Sequence, residues 1–114
     1  MANGKGDCYP TAVNYLFQQT WTNPHFLLCH GIVTGSGGEV LGKQYGHAWV
    51  EQEREVDGHW VTYVIDNSNG HDLEVIRELY YLLGQVDTEK VTRYSLEETC
   101  KMMAKYGHYG PWDG

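Results

Sequence analysis

The sequence predicts an α+β fold: one helix, then antiparallel strands, then helices, in a single domain over residues 1–114. Three observations carry this. After Pro10, Val13, Leu16, Phe17 and Thr20 recur at helical spacing. Asp57-Gly58 separates two strand-like runs, the strongest short-range hairpin signal. Ser95 and Glu98 form a capping box ahead of a run that stops at Gly107.

The elements follow in chain order. Pro10 suits a first helical turn, where a missing N–H costs nothing, so a helix is expected over residues 9–20. "NPHF" (23–26) turns the chain, and "FLLCHGIVTG" (26–35) is apolar and β-branched enough for a strand. "GSGG" (35–38) reads as a loop. Residues 39–56 carry a long strand, interrupted near Gly42 or Gly46, and "HWVTYVIDN" (59–67) is the second arm of the hairpin. Leu73, Ile76, Tyr80 and Leu83 share one helical face, so residues 71–84 are expected as a helix with Gly84 at C′; a strand through "ELYYLL" competes. "VTRYS" reads as a short strand, and residues 95–107 as the last helix.

Composition excludes several functions. The formal charge is −7, with eight scattered Lys and Arg among 114 residues. A nucleic-acid surface needs clustered cations, and so does docking on anionic membranes. No apolar run approaches the roughly 20 residues that span a bilayer. The start "MANGKGDCYP" has no apolar leader core, so a cytoplasmic protein with reduced thiols is expected. Cys8, Cys29 and Cys100 are odd in number and lack C-x-x-C spacing, which fits neither a disulfide framework nor a zinc site. His25, His30, His59, His71 and His108 also lack ligand spacing, so no metal and no cofactor is expected. "EQERE" (51–55) reads as a solvated strand edge.

Cys8 stands at the start of the first expected helix, where backbone N–H groups and the helix dipole favour negative charge. The thiolate is the nucleophilic form of cysteine. Cys29 lies mid-strand, and Cys100 sits between Leu96 and Met103 as an expected small core residue. A nucleophilic thiol needs a group that takes a proton and returns it, which histidine does near neutral pH. His47 heads the strand "HAWVE", on a rigid element. Counting back from the turn, Asp66 falls nearly opposite His47, close enough to orient the imidazole. "DNSNG" is also an Asx-rich turn, and both roles can coexist in Asp66 and Asn67.

"HAWVEQEREVDGHWVTYVID" (47–66) resembles the transglutaminase-like core of the papain-like cysteine enzymes. That family runs His-Ala-Trp-Val-Glu, a hairpin turn, a Trp-containing strand and then Asp, with its Cys upstream at a helix N-terminus. The helix context of "GDCYPTA" agrees more loosely. The resemblance implies a papain-like or transglutaminase-like core, with the Cys-bearing helix packed on an antiparallel sheet and a C-terminal helix. It implies the catalytic order Cys8, His47, Asp66. Papain-type relatives use Asn as the third member, which makes Asn67 the alternative.

Asn3 and Tyr45 are candidate oxyanion donors, and Trp49, on the His47 face, is a candidate cleft wall. Gly46 would leave room for substrate, and the tail "YGPW" would fold over the site as a lid. The expected activity is that of a cysteine peptidase, amidase or transglutaminase-like acyltransferase. Its partner would be a peptide, isopeptide or glutamine-like amide, with no nucleic acid and no membrane; no oligomeric state is implied. The alternative is an inactive binding module on the same fold that uses an aromatic cleft.

Overall fold

The computed structural model describes residues 8–19, 25–35, 41–68 and 72–112. Asn3, His71 and most of "GSGG" lie outside them. Helix α1 runs Cys8–Gln19 and buries Cys8, Ala12, Val13 and Leu16, a stripe at three- and four-residue helical spacing. Cys8 is therefore part of the face that α1 turns toward the sheet, not a loop residue ahead of it.

Strands β1 (Phe26–Thr34), β2 (Gln44–Val56), β3 (His59–Asp66), β4 (Leu73–Ile76) and β5 (Thr92–Tyr94) form one sheet in the order β4-β3-β2-β1-β5. All four pairings are antiparallel. Helices α2 (Arg77–Leu83) and α3 (Leu96–Tyr106) complete the α+β architecture. The β2–β3 hairpin turns at Asp57 and Gly58, with φ of 50° and 81°. Two positive φ values are what a two-residue hairpin turn of this twist demands, and Gly58 meets them without strain. Ser95 and Glu98 close the capping box of α3, and Gly107 ends it at φ 77°.

β2 is the central strand, because alternation along it supplies both faces of the core. Ala48 and Val50 pack with Leu28 and Ile65 beneath α1. Trp49 packs on the other face with Cys29, Val33, Val64, Tyr80 and Val86. Gly31 makes room for this tryptophan: a Cβ there would stand 2.7 Å from its ring.

Four expectations are overturned. The first half of residues 71–84 is strand: Leu73–Ile76 pairs with Asp66–Tyr63 on the free edge of β3. That edge offers unpaired backbone groups to β-branched Val75 and Ile76, and a four-residue strand carries no period of its own. Gly84 follows α2 with a right-handed φ of −86°, and Gln85 takes the positive φ instead. "EQERE" is solvated only in part and is not at an edge: Glu53 and Glu55 are exposed, but β2 is central and Glu51 is only 3% exposed. Cys100 is exposed, while its neighbour Thr99 takes the buried position on α3.

Candidate active site

The end of β2 brings three chain segments together. Val50 pairs with Ile65, so the same register continued sets Trp49 opposite Asp66 and His47 one diagonal step away. His47 and Asp66 thus share a face by period-two alternation, without the bulge a directly opposite pair would need. Asp66 Oδ2 lies 2.8 Å from His47 Nε2. An ionised carboxylate only accepts, so Nε2 carries the hydrogen and Nδ1 is the nitrogen left for Cys8. Cys8, at the head of α1, lies close enough to act on the His47 imidazole. Cys8, His47 and Asp66, far apart in sequence, are brought together at one place.

Asp66 is held on both oxygens. Oδ1 accepts from the Ser68 backbone N–H at 3.0 Å and from Ser68 Oγ at 2.6 Å. Oδ2 accepts from Tyr80 Oη at 2.7 Å as well as from His47. The Ser68 N–H bond is an Asx turn, so the turn role and the imidazole-orienting geometry coexist in one carboxylate. Four donors saturate a carboxylate and fix its plane.

These contacts set the charge states. Burial is the largest influence on His47 and pushes its imidazole down. The hydrogen bonds and charges of Asp66 and Cys8 outweigh it and raise the imidazole from 6.5 to about 9. Burial would raise Asp66, but its bonds to His47, Ser68 and Tyr80 win and lower it from 3.8 to about 2. Both directions describe an imidazolium–carboxylate pair at neutral pH. The Tyr80 hydroxyl, buried and facing a carboxylate, is held far above its usual range and acts only as a donor.

The other candidates sort differently. Tyr45 flanks His47 edge-on at 6.0 Å and lines, with His47, Asp66, Ser68 and Tyr80, a cleft of about 230 Å³. Trp49 stacks on His47 at 6.2 Å, yet it is fully buried and supports the imidazole from below rather than walling the cleft. Asn67 does not reach His47; its side-chain oxygen is buried without a hydrogen-bond partner beside Cys8, Thr11 and Tyr15. Gly46 leaves room for Tyr9, not for a substrate: a Cβ there would stand 2.8 Å from the Tyr9 hydroxyl. The tail contributes no wall to the His47 cleft. Trp112 is buried against His30 and Tyr94, and it lines a second cleft of about 330 Å³ with Tyr9 and Gly46.

Sequence reasoning missed Ser68 and Tyr80. Ser68 had a signal, since an Asx turn bonds two residues on. Tyr80 had none, because α2 reaches Asp66 only through the unforeseen β4. Among the described residues, no group of three His, Cys, Asp or Glu side chains is placed to hold a metal ion. No described helix is long and apolar enough to cross a membrane. Comparison with protein-family models, with curated proteins and with solved structures finds no match.

Proposed function

We propose that the chain is a small cysteine hydrolase or acyltransferase acting on amides, with the transglutaminase-like layout of the papain-like enzymes. The single observation that supports it most is the His47–Asp66 hydrogen bond beside Cys8, with Cys8 in the first turn of α1. A thiol beside an oriented imidazole at a helix start is the arrangement that makes a thiolate available.

The chemistry then runs as follows. In the imidazolium, the proton on His47 Nδ1 is the one given up by Cys8, and the thiolate attacks the amide carbonyl carbon. The C–N bond breaks as His47 returns that proton to the leaving amine, and a thioester on Cys8 remains. Water, or a second amine, gives a proton to His47 and attacks the thioester, and the thiol recovers its proton on departure. Asp66 holds the imidazolium throughout without taking its proton. Backbone N–H groups at the head of α1 face the developing oxyanion.

Selective alkylation tests this. Iodoacetamide at about pH 6.5 is expected to label Cys8 ahead of exposed Cys100 and buried Cys29. Amide turnover found in a substrate screen is expected to vanish in Cys8→Ala. Labelling of Cys8 no faster than of Cys100 would sink the reading. One observation favours a second reading, a binding module without turnover: Cys8 is only 5% exposed. The same labelling experiment separates the two.

A further inference from the structure

The cleft beside His47 has a chemical character of its own. Its polar groups are mostly spent on one another. His47 and Asp66 are paired, and Ser68 Oγ and Tyr80 Oη both donate to Asp66. The remaining wall is Val33, Leu73, Val75 and Leu83, with Thr34 and Tyr45 at its side. Among the described residues that line it, none carries an unpaired charge, so a charged group entering it would lose hydration without compensation. At about 230 Å³ it is smaller than the roughly 300–1,000 Å³ of drug-sized sites, a size for one or two side chains. Leu83 is 64% exposed and Leu73 37%, apolar surface left open at the cleft itself.

Position decides which part of a substrate belongs there. A leaving amine must sit against the imidazole that protonates it. The larger cleft of Tyr9, Lys90 and Trp112 does not include His47. Resting on the proposed amide chemistry, we infer that the His47 cleft is a subsite for an uncharged aliphatic side chain on the amine side of the scissile bond. The substrate class narrows accordingly to peptides with a leucine-like residue immediately after the cleaved amide.

N-acetyl-leucinamide carries that residue in the required position. Titrated into Cys8→Ala protein, where no turnover occurs, it is expected to shift the NMR signals of His47, Leu73, Val75 and Leu83 to saturation. N-acetyl-lysinamide is expected to bind about tenfold more weakly. Leu83→Asp is expected to reverse that order. Leu82→Asp, also exposed but outside the cleft, is expected to keep it. Equal binding of the two amides, shifts confined to Tyr9 and Trp112, or an unchanged order in Leu83→Asp would each overturn the subsite. Failure of Cys8 labelling in the wild type would instead remove the nucleophile and leave the aliphatic cleft standing.

Discussion

Two buried carboxylates stand in the same sheet, Asp66 at the end of β3 and Glu51 in the middle of β2. Each accepts from a tyrosine, Tyr80 for Asp66 and Tyr81 for Glu51. Each has a cysteine in its network, Cys8 through His47 and Cys29 through Glu51 itself. The partner cation differs. Glu51 holds Arg93 at 3.1 Å and accepts from Trp49 Nε1 at 3.1 Å. Arginine stays charged at all working pH values, whereas histidine exchanges its proton. Burial, reinforced by the Glu51 charge, pushes the Cys29 thiol well up, so it stays protonated and inert. Burial of a carboxylate near a thiol therefore does not make a site. What sets the Asp66 network apart is a titratable partner and an adjoining cleft.

The largest effect that sharpens this contrast is on Cys8 reactivity. His47→Ala is expected to slow its labelling roughly 100-fold or more, whereas Arg93→Ala leaves it unchanged. A comparable loss in Arg93→Ala, read by mass spectrometry, would merge the two networks into one.

Stability is expected to rank the other way. Arg93→Ala strands a carboxylate that is 3% exposed, at a cost of about 2 kcal/mol, below the usual figure because Arg93 is itself 38% exposed. Asp66→Asn keeps an acceptor for Ser68 or Tyr80 and is expected to cost about 1 kcal/mol. Urea midpoints at constant slope measure both.

The pH profile follows from the signs. His47 is raised from 6.5 to about 9, so its stabilisation is complete below 6.5 and lost as pH rises through 9. Asp66 is lowered from 3.8 to about 2, so its share is complete above 3.8 and lost as pH falls toward 2. A plateau between those windows is expected, with a decline above it that disappears in Asp66→Asn. If the alkaline decline persists in Asp66→Asn, it belongs to other groups.

Of similar size is Tyr80→Phe, expected to cost about 1 kcal/mol. Freed of one donor, Asp66 Oδ2 becomes a stronger acceptor for His47, so the imidazole titrates higher by NMR. An unmoved titration would make Tyr80 a packing residue only. Cys100→Ser, on the exposed side of α3, is expected within about 0.5 kcal/mol of wild type.

Local signals were legible where one element decides them alone. The Asp57-Gly58 turn, the α3 capping box and the helix after Cys8 each rest on residues within a few positions of one another. The His47–Asp66 pairing was legible for the same reason: a two-residue turn carries the register back along both arms. Its diagonal geometry was not, because only two residues along β2 separate the opposite position, Trp49, from the diagonal one, His47.

The sequence by itself determined the hairpin, the start of α1, the capped ends of α3 and the residue types that could do acid–base and thiol chemistry. Alternation and capping are local, and they do not depend on what packs above. Tertiary structure alone decided that Leu73–Ile76 is a strand, that Glu51 is buried, and that Tyr80 reaches Asp66. Each of these turns on which edge or face another segment covers. It also decided that Cys8 lies beside His47, since only the packing of α1 across β2 brings the two together.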